Sequence, residues 1–358
     1  MTRTTLLIAI SAAVIGCKPE APQTDDTGES VDDTGEAVED TGESVDDTGD
    51  AVDDTGEAVE DRPSPEAFAD LQIEALADRI QLFTVSADSP IELIGEHGTH
   101  LTMGPHQLRT TSGEMVSGDV DIELIEVFDR AGMLAVDMPS QGRNANDEIA
   151  QLISGGEHYV NASQDGEDLE LAGSFMLQVS TETTGGRDDE MTLFRPDETD
   201  GVWVEEEPNP EAFGIGRMPG ADGKGTVDTY WLTSGEFGWT NIDRWHSDPR
   251  PKTEIQVEVP QGYGPDNCGV YMAYVGEGSA LARFDTWDEN TNRFGEHYGL
   301  IPIGLEVHVI FVTESEGEWS YAIQSETVSE DHITTFDDPA SLLSGDMDDL
   351  SAAINGLP

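Results

Sequence analysis

The sequence predicts a mainly β protein, in which two β-sandwich-like domains follow a signal peptide, a disordered acidic tether and a short helix. Short segments rich in β-branched and aromatic residues recur through most of the chain, and many short strands at regular spacing are typical of sandwiches and barrels. The predicted strands include Ile91 to Ile94, His100 to Met103, Met133 to Asp137 and Phe175 to Ser180. Turn pairs such as Asp165-Gly166 and Gly185-Gly186 separate these segments. Helix signals occur only at the two ends of this region.

The first residues have the pattern of a bacterial lipoprotein signal peptide. Arg3 supplies a positive start, and an apolar core from Leu6 to Ile15 follows that is too short to span a bilayer. Val14-Ile15-Gly16-Cys17 looks like a lipobox, in which the cysteine thiol is acylated and the cysteine becomes the new N-terminus. We therefore expect residues 1–16 to be removed and Cys17 to carry the lipid anchor. An ordinary signal peptide with an incidental cysteine is the alternative.

Two details bear on location and redox chemistry. Lys18 follows Cys17 where an Asp would mark inner-membrane retention in well-studied bacterial sorting, so we expect a lipid-anchored protein of the cell envelope at the outer membrane.

The other cysteine is Cys268. Once Cys17 is lipidated, no intramolecular disulfide can form, and an unpaired Cys268 is expected to behave as a small buried hydrophobe.

Residues 17–63 are predicted to form the disordered acidic tether. A seven-residue repeat of the type DDTGESV runs over residues 25–61, which hold 17 carboxylates and no basic residue. A coiled coil needs two apolar positions per heptad, and here there is one. The glycine in every repeat and the mutual repulsion of the carboxylates also oppose a stable helix. Disorder is therefore predicted, and a transient helix is the alternative. Each repeat contains Asp-Thr-Gly, but aspartic-protease chemistry needs two such triplets paired on buried strands. We interpret the segment as a spacer.

The charge excludes one class of partner. The chain has 75 acidic and 16 basic side chains and a formal charge of −59, whereas binding to nucleic acid needs Lys and Arg to replace phosphate counterions. Residues 25–61 contribute −17 to this charge and residues 62–358 contribute −43, whereas residues 1–24 contribute +1. The predicted folded part is therefore itself acidic. With only 3 Lys against 13 Arg, we expect a protein adapted to salty surroundings, where screening reduces self-repulsion.

The folded part is predicted to divide into two domains. Ser64 as N-cap and Pro65 at the first position mark a helix start, and apolar spacing extends the predicted helix towards Phe83. The predicted ranges are 64–207 for the helix and first β-sandwich, 208–226 for a Pro/Gly linker, and 227–358 for a second β-sandwich-like domain with a short C-terminal helix around Met347 to Ile354.

One stretch of the chain carries a family resemblance. The segment GTHLTMGPHQLRTTSGEMVSGDVDIELIEVFDRAGML resembles a pattern in uncharacterised bacterial surface lipoproteins with tandem β-sandwich domains. More faintly, it resembles the β-sandwich module of ankyrins and netrin receptors. The segments MTLFRPDETDGVW and GWTNIDRW fit the later parts of the same lipoproteins. The resemblance spans roughly residues 80–335 and implies a location and a fold, but no activity.

The densest aromatic and polar cluster is a candidate ligand platform. It consists of Trp239, Asn241, Asp243, Arg244 and Trp245. Two indole rings beside polar side chains suit a sugar or a peptide, which Asp243 and Arg244 would orient. The structural alternative is a strand-turn clasp, with the Trp side chains in the core, Arg244 paired to a carboxylate and Asp243 capping the turn.

A second candidate is an oxygen-rich loop that suits Ca²⁺. Its predicted ligands are Asp285, Asp288, Asn290, Asn292 and Glu296. Carboxylate and amide oxygens are the ligands that Ca²⁺ prefers, but the loop lacks the order and the turn glycine of an EF-hand. Solvated acidic turns are the alternative, and no other cofactor is expected.

These features favour a non-catalytic, envelope-anchored lipoprotein that presents β-sandwich domains for binding or structural interaction. Its expected partners are the membrane, through the lipid, and a protein or glycan of the envelope. One alternative is a Ca²⁺-dependent adhesion module that uses the acidic loops. Another is a secreted hydrolase, for which no nucleophile and base pair can be named in the sequence.

Overall fold

The computed structural model describes residues 62–220 and 225–358, and in this part of the chain it leaves aside the side chains of His297 and Tyr298. The predicted signal peptide, Cys17 and nearly all of the predicted tether lie outside the described residues. Strands take up 49% of the described residues and helices 12%. The prediction of a mainly β fold with several sheets and few helices is therefore confirmed.

The described elements alternate along the chain as follows. The helices are α1 (Pro65–Ala77), α2 (Arg130–Ala135) and α3 (Met347–Asn355), with short 3₁₀ turns at Thr181–Thr184 and Pro339–Ser341. The strands in the first half are β1 (Gln81–Ser86), β2 (Ile91–Ile94), β3 (His100–Met103), β4 (Leu108–Thr110), β5 (Asp119–Val127), β6 (Gln141–Arg143), β7 (Ile149–Gln164), β8 (Glu167–Leu171), β9 (Phe175–Ser180), β10 (Thr192–Pro196), β11 (Trp203–Glu205) and β12 (Phe213–Pro219). The strands in the second half are β13 (Thr226–Ser234), β14 (Gly238–Trp245), β15 (Lys252–Glu258), β16 (Cys268–Tyr274), β17 (Leu281–Arg283), β18 (Thr286–Asp288), β19 (Arg293–Pro302), β20 (Glu306–Ser315), β21 (Glu318–Thr327), β22 (His332–Thr335) and β23 (Leu343–Gly345).

Two sheets form the first sandwich. Sheet I has the order β1-β5-β7-β14-β10-β11-β6, with β8 and β4 attached beside β7, and sheet II has the order β12-β13-β9-β3-β2. The apolar residues that alternate along these strands pack between the two sheets, as period-two patterning requires. The core includes Leu101, Ile122, Leu177, Tyr230 and Leu232, none of which is exposed.

Two further sheets form the second sandwich. Sheet III has the order β18-β19-β15-β22, and sheet IV has the order β17-β16-β20-β21-β23. Their shared core includes Ile255, Val257, Met272, Val307 and Phe311.

The three helices belong to a third apolar layer, which lies between the sandwiches. Phe68 of α1 and Leu350 of α3 pack in the same cluster as Ile125 of sheet I and Ile310 of sheet IV. Phe68 also meets Trp319 of β21 edge to face, with ring centroids 5.9 Å apart. The residues from Arg62 to Pro358 therefore belong to one compact unit.

The N-terminal helix begins where the sequence predicts and ends earlier. The side chain of Ser64 accepts a hydrogen bond from the Ala67 N–H, and Pro65 is the first helical residue. The helix stops at Ala77, and the segment that holds Phe83 is strand β1, paired with β5. Consecutive Thr84 and Val85 favour a strand, and pairing with β5 outweighs the apolar helical spacing.

A predicted strand is instead a helix. Residues 133–137 were expected to be extended, but α2 covers Met133, and the side chain of Asp129 accepts a hydrogen bond of 2.7 Å from the Gly132 N–H as its N-cap. A run of four apolar residues such as Met133 to Val136 does not distinguish a buried helix from a strand. The Asp129 N-cap favours the helix.

The sheet pairings differ from the predicted linker and domain boundary. The range 208–226 contains strand β12, in which Phe213 and Ile215 pack on the first core and Phe213 pairs with Leu232 of β13. Strands β13 and β14, predicted to open the second domain, belong to sheets II and I. The first strand of the second sandwich is β15, which begins at Lys252. The segment was predicted as a linker because it is rich in Pro and Gly. An edge strand tolerates these residues, and the alternating apolar pattern of β12 lies among them.

Candidate functional site

The residues of the predicted ligand platform lie on strand β14. Trp239, Asn241, Asp243 and Trp245 are two residues apart, so their side chains share the face of sheet I that points away from the core of the first sandwich. The indole of Trp239 lies at a tilt against the ring of Tyr159, with centroids 5.4 Å apart. Asn241 and Asp243 are completely buried.

The fifth residue, Arg244, points to the opposite face. Its Nε donates a hydrogen bond of 2.6 Å to Asp188. Burial opposes ionisation of Asp188, but the backbone N–H of Glu190 and the Arg244 guanidinium lower its pKa. Trp245 donates from Nε1 to Glu205 at 2.9 Å. The structure thus places four of the five residues together, and the pairing of Arg244 with a carboxylate is the contact that the clasp alternative expected.

A β-bulge brings four polar side chains together on this face. Asn241 lies opposite Glu157 and Asp243 lies opposite Ser154, so β7 carries one extra residue between these pairs. Gly156 in the bulge has a φ of 128°, which favours glycine. Asn241 donates from Nδ2 to Asp243 Oδ2 at 2.8 Å, and Ser154 Oγ donates to Asn241 Oδ1 at 3.1 Å. These four polar residues are hereafter the buried carboxyl cluster.

Both acids of the buried carboxyl cluster favour their neutral form. Burial raises the pKa of Glu157 well above its usual range, and the neighbouring charge of Asp243 raises it further. Burial also raises the pKa of Asp243 well above its usual range, although the hydrogen bond from Asn241 and the nearby Ser154 hydroxyl and Gly155 N–H lower it. Among the described residues neither carboxyl oxygen of Glu157 has a hydrogen-bond partner. The cluster can hold protons, but it is closed to a substrate.

His158 and Glu126 form a second group of buried polar residues. Burial lowers the pKa of His158 to about 4, although the charge of Glu126 opposes this shift. Glu126 accepts hydrogen bonds of 2.9 Å from the side chain of Gln81 and from the backbone N–H groups of His97 and Thr99. Burial opposes ionisation of Glu126, but these bonds outweigh it and lower its pKa. The carboxylate therefore holds the turn between β2 and β3 in place.

The predicted Ca²⁺ ligands divide between a turn and the strands beside it. Asp288 Oδ1 accepts from the backbone N–H of Asn290 at 3.0 Å and from its Nδ2 at 3.1 Å, and Oδ2 accepts from Thr291 Oγ1 at 2.8 Å. Asn292 has a φ of 51° and ends the turn. The Asp288 carboxylate thus stabilises the hairpin between β18 and β19, as Asp commonly does in turns.

The other two predicted ligands lie elsewhere. Glu296 is in β19, is 6% exposed and accepts a hydrogen bond of 3.1 Å from the Gly299 N–H. Asp285 is exposed and precedes β18. Within residues 62–220 and 225–358, no three His, Cys, Asp or Glu side chains form a group that could hold a metal ion.

Sequence reasoning missed a buried arginine that joins the two sandwiches. Arg130, at the start of α2, is 1% exposed. Its guanidinium donates to the carbonyl oxygens of Tyr274 at 2.5 Å, of Glu277 at 3.0 Å and of Leu357 at 3.4 Å. Burial lowers the pKa of Arg130, and the charge of Glu277 opposes that shift. No local sequence motif predicts that Arg130 joins the sandwiches, because its partners are carbonyl groups more than 140 positions away along the chain.

Cys268 is a buried thiol without an acid or base partner in its hydrogen bonding. Its Sγ donates to the Gly264 carbonyl at 3.1 Å, and burial raises its pKa. The thiolate, which is the nucleophilic form, is therefore disfavoured.

No protein-family model matches the chain, and no curated protein matches it. Among the helices of the described part, none has the length and apolar character needed to cross a membrane.

Proposed function

We propose that this protein is a non-catalytic lipoprotein of the bacterial cell envelope, anchored through Cys17 at the outer membrane, whose β-sandwich unit serves binding or structural interaction. The observation that carries the proposal is the N-terminal sequence. A positive start and a short apolar core run directly into Val14-Ile15-Gly16-Cys17, and an acidic repeat follows. The resemblance to bacterial surface lipoproteins supports the same assignment.

The chemistry of the folded unit supports a non-catalytic role. The titratable groups with the strongest shifts include Glu157 and Asp243, which are completely buried. Cys268 is buried as well. A group that reacts with a substrate must come within hydrogen-bond reach of it, and these groups are enclosed by the fold. Their shifts follow from burial.

The way in which the sandwiches are joined supports presentation as one rigid body. Arg130 links α2 to the carbonyl groups of β16 and of the C-terminus. Asp137 accepts two hydrogen bonds from Arg283 Nη1, at 2.9 and 2.8 Å, and one from Tyr271 at 3.1 Å. Contacts of this kind would hold the two sandwiches together as a single body, which the segment after the lipid would place at a distance from the membrane. The 47 residues from Cys17 to Ser64 would span up to about 155 Å if fully extended.

Metabolic labelling tests the anchor. Cells that express the full chain are grown with an alkyne-bearing fatty acid and fractionated. We expect the wild-type protein to carry the label and to sediment with outer membranes, and Cys17→Ala to lose both properties. Cys268→Ala is the matched control and should keep both. Label that persists in Cys17→Ala, or wild-type protein without label, would contradict the proposal.

A further inference from the structure

Sheet II leaves one of its two faces uncovered by the first core. Leu101, Leu177 and Leu232 point into the core, so the residues between them point outward. The strand registers align four outward residues in one line across the sheet. This line, hereafter the Trp231 row, consists of Trp231 on β13, Gln178 on β9, His100 on β3 and Ile94 on β2.

The indole of Trp231 lies close against the neighbouring edge strand. A Cβ added to Gly214 of β12 would lie 2.8 Å from Cζ2 of Trp231, and one added to Gly216 would lie 3.3 Å from Cδ1. The two ends of the indole therefore cover two glycines of the same strand. The ring therefore lies against this backbone. Trp231 is half-buried, so part of the ring remains exposed and could stack on a ligand.

A recess adjoins the Trp231 row on the same face. The neighbouring line of outward residues is Thr233, Met176, Thr102 and Glu92, and all four line an open recess of about 370 Å³. That volume is at the lower end of the range of about 300–1,000 Å³ that small-molecule sites occupy.

The polar side chains of this face are unused by the fold. Within the part of the chain that the structure describes, no hydrogen bond is made by the side chains of His100, Gln178, Thr102 or Thr233. Hydroxyl, amide and imidazole groups offer both donors and acceptors. Beside an aromatic ring, they form a surface that can hold a ligand with an apolar face and a polar rim.

The charge of the face matches an uncharged ligand. The two outward lines contain one acidic side chain, Glu92, and no Lys or Arg, although residues 62–358 carry −43. The outward residues of sheet III, by contrast, include Glu254, Glu258 and Arg293. An ionic partner would gain little from the sheet II face. An uncharged saccharide has the required combination, because its ring C–H groups are apolar and its hydroxyls form the rim.

We propose that the outer face of sheet II binds an uncharged saccharide chain, with one pyranose ring stacked on Trp231, its hydroxyls bonded to Gln178 and His100, and the next sugar in the recess beside Thr102. This inference rests on the proposed binding function and assigns it a site and a ligand class.

The test uses the full chain and four neutral hexasaccharides, built of β-1,4-glucose, β-1,4-xylose, β-1,4-mannose and α-1,4-glucose. Isothermal titration calorimetry and affinity electrophoresis measure binding. We expect at least one of the four to bind, Trp231→Ala to weaken its affinity by tenfold or more, and the affinity to be the same at low and high NaCl. Gln256→Ala, on the outer face of sheet III, is the matched control and should bind as the wild type does.

A second variant covers the case in which Trp231→Ala disturbs the pairing of β12 with β13. Gln178→Ala removes only a half-buried polar group and should weaken binding about three- to tenfold. Binding of none of the four saccharides, or wild-type affinity in both variants, would overturn the inference. So would a neutral peptide that binds this face in their place. Labelling of Cys17 reads out the lipid anchor separately, so either proposal can fail while the other stands.

Discussion

Glu157 and Asp243 lie on paired strands with their carboxyl groups completely buried, and the charge of Asp243 raises the pKa of Glu157. Two acids enclosed in this way cannot both ionise without a large cost. The folded protein therefore retains protons that the unfolded chain releases near the ordinary Glu pKa of 4.5.

The first prediction concerns pH. The pKa values of the two acids are raised in the folded protein. The contribution of the cluster to the free energy of unfolding is therefore fully present below about pH 4, and it is lost as the pH rises through these raised pKa values. Glu157→Gln preserves the shape of the neutral acid and does not titrate. We expect this variant to gain stability over wild type with increasing pH, by about 1.4 kcal/mol for each unit of the pKa shift. Urea unfolding from pH 5 to pH 9 measures the difference.

Glu289→Gln is the matched control for this experiment, because Glu289 is exposed in the turn between β18 and β19. Its stability should follow wild type at every pH. A Glu157→Gln variant that is less stable than wild type at pH 9 would contradict the prediction.

The second prediction concerns the joint between the sandwiches. Arg130→Met removes the donors to the carbonyl groups of Tyr274, Glu277 and Leu357. Each buried acceptor left without a partner costs about 1–3 kcal/mol, so we expect a loss of about 3 kcal/mol or more in the free energy of unfolding. Denaturant titration measures it. Arg109→Met is the control, since its pair with Glu170 is exposed on both sides and should contribute less than about 1 kcal/mol. Equal losses in the two variants would refute the role given to Arg130.

The third prediction concerns Ca²⁺. Both carboxylate oxygens of Asp288 accept hydrogen bonds within its own turn. We therefore expect millimolar CaCl₂ to shift the melting temperature no more than NaCl of equal ionic strength does. Asp288→Ala should cost about 0.5–1.5 kcal/mol with or without Ca²⁺. A Ca²⁺-specific rise in melting temperature that Asp288→Ala abolishes would establish the predicted Ca²⁺ site and favour the adhesion alternative.

The fourth prediction concerns salt. Residues 62–358 carry −43, and mobile ions screen such repulsion within about 8 Å at physiological ionic strength. We expect the free energy of unfolding to rise as NaCl increases from near zero to molar concentrations, with most of the rise at the low end. Urea titrations across this series provide the measurement. A flat or falling stability would show that the acidic surface needs no salt.

Much of the fold was predictable because its causes are local. The N-cap Ser64 and the helix of residues 347–355 follow from capping chemistry. The strand bounds Ile91–Ile94, His100–Met103 and Phe175–Ser180 coincide with the predicted ones, because each segment alternates or is bounded by turn residues. The charge, the lipobox-like segment and the acidic repeat are likewise properties of the sequence alone.

Other features exist only in the folded chain. Ile94 and Trp231 share a row although 137 positions separate them, and Arg130 reaches carbonyl groups of the second sandwich. The bulge at Gly156 joins Glu157 to Asp243. Alternation is unchanged by a shift of two residues, so a strand pattern does not specify its partner or its register. The acidity and many of the strands therefore follow from the local sequence, and so does the prediction of an anchor. Tertiary packing decided which distant polar groups are enclosed together and which face of sheet II remains open, because burial and pairing are properties of the whole chain.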